Sequence, residues 1–454
     1  MPEAPGDQPL RRWEKMFFGV TLLGLAVFAG FSEIRSCFLK ERHTDFGVYL
    51  RAAYAARTGG DMYQITDDHG WHYCYPPPFA LLLTPLADPP SGADRTGFVP
   101  FWFATAVWIV ISLLVAIWTV HVLAKAVLPD AKPWSRRWLY ARTVPFSLCI
   151  GSIGFTVSHG QVNTAVAALI AGMFVAFAAD RRIAAGAWLA AAAALKITPA
   201  LLVLYPLLHR DRRSLIGLAA GSIVLLGILP VAFFGFQGAI DENRKLVHQV
   251  LAPGLGGSAA GDQTRAKELT NTTMTDSISF VSVIHTWKHP EDRLVREHTT
   301  PDADQSSRLA HWAISGLMIA ITSVLIWKNR TKGAAEQLLL LGSLVLVMIL
   351  AAPVSHNHHF AMALPALCGL WLWGLKQRPG QLIPSAWVLA TLVSWTAGTA
   401  ILLLPGPIFV QLREFGLGTA VTVLLWAVGL ATANRKANAA VEGQQEPQPL
   451  AWAA

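Results

Sequence analysis

The chain has 454 residues, of which 53% are hydrophobic and only 14% are charged, and its formal net charge is +8. A soluble globular domain has about 25% charged residues, so the composition excludes an ordinary soluble protein. The positive charge does not indicate a nucleic-acid partner, because Lys and Arg mostly flank apolar blocks instead of forming a basic stripe with interleaved aromatic residues. The composition therefore predicts a membrane protein.

The apolar blocks are long enough for membrane-spanning helices, which need about 20 residues each. We predict ten spans, near residues 17–31, 98–124, 143–157, 162–179, 214–236, 309–327, 335–353, 359–375, 383–404 and 416–433. Two shorter apolar pieces, 184–196 and 198–208, meet at Lys196 and Pro199. Because Pro199 disfavours a continuous helix there, we expect a helical hairpin whose tip lies inside the protein. These twelve elements predict an all-α, polytopic transmembrane fold.

The distribution of Lys and Arg predicts the orientation of the spans. If the chain starts in the cytoplasm, 20 of its 36 Lys and Arg residues fall on cytoplasmic connectors and termini, as the positive-inside rule requires. We therefore expect one transmembrane domain over 17–433, a cytoplasmic arm over 1–16 and a disordered cytoplasmic tail over 434–454. Two long loops, 32–97 and 238–308, then lie on the extracytoplasmic side of the cell membrane. We expect them to carry short helices, and the second loop to form in part a mobile lid.

The first long loop carries an isolated acid and a helical pattern. Asp45 begins a stretch, 46–57, in which aromatic and apolar residues repeat at helical spacing while Arg51 and Arg57 lie elsewhere. This pattern is typical of a helix that lies at the membrane interface. The segment 73–79 then indicates a rigid, aromatic return to the bilayer. The alternative interpretation is an aromatic belt beside a solvated acid.

Other polar residues that the pattern of apolar spans does not explain also lie on the predicted outer side. The connector 158–163 contains His, Gln and Asn, which is more than a turn needs. Lys196 lies at the tip of the broken hairpin, and a lysine at membrane depth usually faces a cavity or a partner. The alternative is that Lys196 extends to the membrane interface. The connector 353–360 contains three His residues that, with Lys196 on the same side, favour binding of an anion.

Neither the cysteines nor the histidines indicate a cofactor. The chain has four cysteines, too few for a disulfide scaffold, although Cys37 and Cys74 share one loop and can pair in an oxidising compartment. Three His residues within 356–359 suggest a metal at first sight. However, a zinc site spaces His at i and i+4 beside an acid, and no Asp or Glu occurs between Glu336 and Glu414. We therefore expect no metal and no cofactor.

Taken in order, these motifs resemble glycosyltransferase family 87, a family within the GT-C superfamily of polytopic membrane glycosyltransferases. The resemblance rests on Asp45-Phe46-Gly47-Val48-Tyr49, on Gly60-Asp61-Met62-Tyr63 leading to Tyr75-Pro76-Pro77, on His159-Gly160-Gln161-Val162-Asn163, on Leu195-Lys196-Ile197-Thr198-Pro199, and on Ser355-His356-Asn357-His358-His359. The motifs keep their order along nearly the whole chain, so their set is more specific than any one of them.

The resemblance implies transfer of a sugar, often mannose, from a polyprenyl-phosphate donor to a lipid-linked or glycan acceptor on the extracytoplasmic face. The residue chemistry is consistent with that reaction. An acceptor hydroxyl needs a base to take its proton, and Asp45 is the candidate. The leaving phosphate gains negative charge in the transition state, and the candidates that stabilise it are Lys196, His358 and His359. Direct displacement with one base predicts inversion of the anomeric configuration.

The remaining polar and aromatic candidates are assigned to sugar or acceptor binding. Imidazole and amide groups can hydrogen-bond sugar hydroxyls, and tyrosine rings can stack on a sugar face. The residues assigned in this way are His159, Gln161, Asn163, Tyr49, Tyr63, Tyr75 and His356. The competing hypothesis is a transporter or lipid flippase, because broken helices and membrane lysines also mark substrate pathways. The candidates share one face and the two halves lack matching broken segments, which favours the enzyme.

Overall fold

The computed structural model describes residues 8–28, 44–254, 277–290, 303–378 and 381–435. Within these ranges the regular structure is helical apart from isolated β-bridges, which agrees with the predicted all-α fold. We number the helices in chain order as α1 (Arg12–Phe28), α2 (Thr44–Thr58), α3 (Pro77–Leu82), α4 (Phe101–Val127), α5 (Arg136–Leu148), α6 (Ile150–Ser158), α7 (Asn163–Ala178), α8 (Arg182–Leu195), α9 (Leu204–Leu208), α10 (Arg212–Gly254), α11 (Phe280–Lys288), α12 (Gln305–Lys328), α13 (Ala334–Ala351), α14 (Leu364–Gln377), α15 (Ala386–Ile401), α16 (Pro407–Glu414) and α17 (Leu417–Ala433).

Among these helices, α4, α10, α12 and α13 are long and apolar enough to cross a membrane. The bent pair α16 and α17 adds a fifth candidate if the two helices form one span. The helices α7, α8 and α15 are apolar but shorter. Helix length in the described part of the chain therefore supports four or five spans and does not confirm the twelve predicted membrane elements.

Helix α13 lies at the centre of the bundle. Its residues 337–350 are all buried, and it packs against α12, α14 and α17. A helix that is apolar on every face is stable only when neighbours surround it. The C-terminal end of α13 leads directly to residues 355–359, which we call the histidine segment. A deeply packed helix thus positions this segment.

The predicted break between 184–196 and 198–208 is present. Helix α8 ends at Leu195, and Lys196 has an extended backbone with φ −148° and ψ 136°. A short 3₁₀ helix, Thr198–Val203, then begins with Pro199 in its first turn. Proline is tolerated there because the first helical turn needs no donor from it.

The structure corrects the expectation for α2, which is not an exposed helix at the membrane interface. Nearly all of its residues from Phe46 to Ala56 are buried, including those on the face predicted to be polar. Arg51 is only 1% exposed, and its guanidinium lies 2.8 Å from the Asp68 carboxylate and 3.7 Å from that of Asp88. Since a buried charge is tolerated only when it is paired, the loop after α2 supplies the acids that allow this burial.

One element boundary also differs from the expectation. The predicted span 143–157 consists of two helices, α5 and α6, separated at Cys149. Pro145 lies inside α5 and removes one backbone hydrogen bond from it. The end predicted for the span 214–236, in contrast, agrees with a kink in α10 at Gly235, where φ is 72° and ψ is 174°. Beyond the kink α10 continues to Gly254, so the start of the second long loop is helical. Four buried residues of this continuation keep helical spacing, namely Ala239, Glu242, Leu246 and Val250.

Some expectations concern residues outside the described ranges. Cys37, the suggested partner of Cys74, is one of them. The same holds for 255–276 and 291–302, which make up about half of the second long loop, and for the tail from 436 onward.

Candidate active site

A cavity of about 650 Å³ lies where α2, the end of α8 and the histidine segment meet. Its wall is mostly apolar, with a small group of polar side chains. Nine of the eleven predicted site residues line it, namely Asp45, Tyr49, Tyr75, His159, Gln161, Lys196, His356, His358 and His359. Residues that are up to several hundred positions apart in the chain therefore face one space, which we call the central cavity.

Asp45 is held in a hydrogen-bond network that centres on Gln161. The Gln161 side chain hydrogen-bonds the Asp45 carboxylate. Its Oε1 atom lies 3.1 Å from the hydroxyl of Tyr49 and 3.3 Å from that of Tyr75, and these two hydroxyls lie 2.9 Å apart. Because an ionised carboxylate can only accept, the amide NH₂ group is the end that points at Asp45, and Oε1 is left to accept from the tyrosine hydroxyls. The orientation of the amide is fixed by its neighbours.

The surroundings of Asp45 favour its neutral form more than water does. Desolvation by burial raises the pKa of Asp45, and the hydrogen bond from Gln161 and the nearby charge of Lys196 lower it only in part. The pKa therefore lies above the ordinary value of an aspartate. A carboxylate with a raised pKa is a stronger base once it is ionised, which suits a group that must accept a proton.

Gly160 allows the connector 159–161 to contact α2. Its φ is +65°, and a Cβ atom added to it would lie 2.3 Å from the Cβ of Phe46. Glycine alone avoids both the left-handed strain and this clash. The close approach brings Gln161 to Asp45, the residue that precedes Phe46.

Lys196 is buried at the end of α8, where it also lines the cavity. Its side chain is 8% exposed, so it does not extend to an interface, and its Nζ donates to Asn163 Oδ1 at 2.8 Å. The Asn163 Nδ2 donates in turn to the His358 carbonyl at 3.1 Å, and the Thr156 hydroxyl donates to the same carbonyl at 2.7 Å. This chain of contacts joins the end of α8, the start of α7 and the histidine segment.

The histidines of the cavity differ in the protons they offer. The backbone N–H of His356 donates to His359 Nδ1 at 2.8 Å, so a neutral His359 carries its proton on Nε2 and is a donor there. His159 Nδ1 lies 2.9 Å from the Phe155 carbonyl, which can only accept. A neutral His159 is therefore protonated on Nδ1 and presents a lone pair on Nε2. The ring of His358 lies between them, 4.6 Å from that of His359 and 6.0 Å from that of His159.

Two predicted site residues, Tyr63 and Asn163, do not line the cavity. Both are buried behind its wall. The Tyr63 hydroxyl donates to the Tyr75 carbonyl at 2.9 Å, and Asn163 holds Lys196. Their observed contacts are with other site residues and not with the open space.

The structure adds lining residues that the sequence motifs did not indicate. Trp71 and His72 line the cavity from the first long loop, and Trp312 lines it from α12. The sequence feature that could have indicated this part of the wall is the position of Trp71, directly after the turn sequence Asp67 to Gly70. Within the described residues, no group of three or more His, Cys, Asp or Glu side chains is arranged to hold a metal ion.

Comparison with known proteins adds independent information. The model of glycosyltransferase family 87 matches residues 73–353, more than half of the chain. The matched region contains Gln161 and Lys196, while Asp45 precedes it and the histidine segment follows it.

Two relatives are each named a polyprenol-phosphate-mannose-dependent alpha-(1-2)-phosphatidylinositol mannoside mannosyltransferase. The protein of Mycobacterium tuberculosis is 24% identical over 343 residues, which cover 74% of this chain and 71% of the relative. The protein of Mycolicibacterium smegmatis is 25% identical over 355 residues, which cover 73% of this chain and 68% of the relative.

Proposed function

The chain belongs to glycosyltransferase family 87, and we propose that it transfers mannose from a polyprenyl-phosphate donor to a lipid-linked or glycan acceptor, with inversion. As a member of this family it is a membrane glycosyltransferase, and the competing transporter hypothesis is set aside. The names of the two relatives support the donor and the sugar. The observation that carries the mechanism is the convergence of one acid and a group of cations and N–H donors on the central cavity.

Asp45 acts as the general base. It takes the proton of the acceptor hydroxyl while the oxygen of that hydroxyl bonds to the anomeric carbon of the donor. The bond from the anomeric carbon to the phosphate oxygen breaks, and its electron pair leaves with the polyprenyl phosphate. Gln161 positions the Asp45 carboxylate for this step, because its amide is held by Tyr49 and Tyr75. Attack opposite the leaving group inverts the anomeric configuration.

Lys196, His358 and His359 bind the donor phosphate. The ammonium of Lys196 and the Nε2–H of His359 are donors on buried side chains, where charge stabilisation is stronger than in bulk water. Both groups are fixed before the substrate arrives, by Asn163 and by the His356 backbone respectively. They therefore stabilise the negative charge that grows on the phosphate without first having to reorganise.

The other predicted side chains bind sugar hydroxyls or support those that do. The lone pair on His159 Nε2 suits a hydroxyl donor, and Tyr49, Tyr75 and His356 line the remaining polar wall. Tyr63 and Asn163 act through the residues they hold. The apolar part of the wall, which includes Leu201, Ile319 and Met348, accommodates the start of the polyprenyl chain.

We propose, from the positive-inside distribution of Lys and Arg, that this cavity lies on the extracytoplasmic side of the cell membrane and that both termini lie in the cytoplasm. The proposal is tested by incubating purified protein in lipid nanodiscs with radiolabelled polyprenyl-phosphate-mannose and a lipid extract. We expect label in a new glycolipid whose mannose has the anomeric configuration opposite to that in the donor. Movement of the donor across the bilayer without formation of a glycosidic bond would contradict the proposal.

A further inference from the structure

The mouth of the central cavity carries an aromatic side chain that the mechanism does not use. Trp71 and His72 end a short hairpin, residues 66–72, in which Thr66 pairs with His72. The Trp71 side chain is 37% exposed and lines the cavity. The rings of Tyr49 and Tyr75, in contrast, pack edge-on against Phe79, at 4.8 Å and 5.8 Å. Of these three side chains, Trp71 is exposed, Tyr75 is half-buried and Tyr49 is buried.

The hairpin is rigid at Trp71 because a buried carboxylate organises it. One carboxylate oxygen of Asp67 accepts from the backbone N–H groups of His69 and Trp71, each at 2.9 Å. The backbone N–H of Asp67 donates to the Trp71 carbonyl at 3.1 Å. Gly70 supplies the positive φ, +81°, that the turn needs. The backbone of Trp71 is therefore fixed while its ring remains free to meet a ligand.

The hairpin is also fastened to the helix that carries Asp45. A Cβ added to Gly47 would lie 3.8 Å from the Cβ of Asp67, and Asp68 pairs with Arg51 at 2.8 Å. Gly47 and Arg51 are four residues apart and thus lie on one face of α2. Asp45 lies in the first turn of the same helix. Trp71 and Asp45 therefore belong to one packed unit, which consists of the hairpin and α2.

The donor-binding groups belong to other parts of the molecule, namely the end of α8 and the histidine segment. In a direct displacement the acceptor and the leaving phosphate lie on opposite sides of the anomeric carbon. The acceptor must stand beside the base, and hence on the side of the cavity to which Trp71 is fastened. An indole face is well suited to the apolar face of a pyranose ring, since both surfaces are flat and largely apolar.

We infer that Trp71 is the platform on which a pyranose ring of the acceptor stacks, so that the acceptor is recognised through a sugar and not only through its lipid. That the stacked sugar belongs to the acceptor rests on the proposed function. The stacking itself is a binding event that can be measured without turnover.

Binding is measured by saturation-transfer NMR titration of the full chain in nanodiscs. The sugar probe is n-octyl α-mannopyranoside, and n-octanol is the matching probe without a sugar. The variants are Trp71→Ala, Trp71→Phe and, as a matched control, Trp102→Ala. Trp102 is an exposed tryptophan at the start of α4 that does not line the cavity. Thermal unfolding of each variant shows whether it is folded.

We expect Trp71→Ala to weaken octyl mannoside binding by about three- to tenfold, a size typical of one aromatic stacking contact. Trp71→Phe should restore most of the affinity, and Trp102→Ala should bind like the wild type. Octanol binding should be the same in all four proteins. Unchanged octyl mannoside binding in Trp71→Ala, or an equal loss for octanol, would overturn the inference. Absence of mannosyl transfer by the wild type would instead contradict the proposed function, and the titration would still decide whether Trp71 binds a sugar.

Discussion

At the scale of single residues, the site depends on how protons are assigned. Gln161 can donate to Asp45 because two tyrosine hydroxyls occupy its carbonyl oxygen. His359 can donate from Nε2 because a backbone N–H occupies its Nδ1. The Gln161 assignment follows from the ionised Asp45 carboxylate, which can only accept, and the His359 assignment follows from a backbone N–H, which can only donate.

Replacing the base without changing its shape is the most direct test at this scale. We expect Asp45→Asn to lower mannosyl transfer by about 10²- to 10⁴-fold, the usual contribution of a general base. The measurement is the initial rate with saturating donor and acceptor. The matched control is Asp94→Asn, an exposed acid of the same loop whose carboxylate accepts hydrogen bonds from Thr96. A folded Asp45→Asn protein with the wild-type rate would exclude Asp45 as the base.

The pH dependence of transfer provides a second test. In the proposed mechanism the ionised form of Asp45 is active, so the rate should fall as the pH decreases through the pKa of Asp45, which burial raises. The hydrogen bond from Gln161 favours the ionised form, and Gln161→Leu should therefore move the acidic limb of the pH–rate profile to higher pH. Tyr54 lies on the same helix as Asp45 but does not line the cavity, so Tyr54→Phe should leave the acidic limb in place. A limb that does not move in Gln161→Leu would refute the positioning role.

At the scale of elements, the site is built from segments that are broken or turned at defined places. Helix α8 stops at Leu195 and leaves the Lys196 backbone extended, and the connector 159–161 turns at Gly160 against α2. The buried helix α13 delivers the histidine segment. Catalytic groups on such segments keep their positions because the packed helices behind them do not move easily.

Gly160 and Gly59 allow the effect of packing to be separated from that of backbone strain. Both have a positive φ, +65° and +78°, but only Gly160 has a neighbour, Phe46, within contact distance. We expect Gly59→Ala to cost about 1–2 kcal/mol of the free energy of unfolding through strain alone and to keep its transfer rate. Gly160→Ala should cost about 1–3 kcal/mol more and should lose activity, because Gln161 moves away from Asp45. Equal costs for the two variants would show that the contact with Phe46 is not tight.

At the scale of the whole molecule, apolar block length and proline placement predicted the helical structure of the described residues but not the number of membrane-spanning helices. The break at Lys196 and Pro199 and the meeting of nine candidate residues on one cavity agree with the structure. The burial of α2 was not predictable, because the acids that contact Arg51 come 17 and 37 residues later in the chain. Periodicity shows that a helix has two faces, but not which partner covers each. Trp71 was missed for the same reason, since its place at the cavity depends on contacts with α2.

The central claim is that one cavity holds the donor phosphate against Lys196 and His359 while Asp45 faces the anomeric carbon. The most direct measurement is a cryo-electron microscopy structure of the Asp45→Asn protein with bound polyprenyl-phosphate-mannose. We predict phosphate oxygens within hydrogen-bond distance of Lys196 Nζ and His359 Nε2, with residue 45 on the opposite side of the anomeric carbon. A phosphate bound away from both of these groups, or on the same side of the sugar as residue 45, would contradict the account.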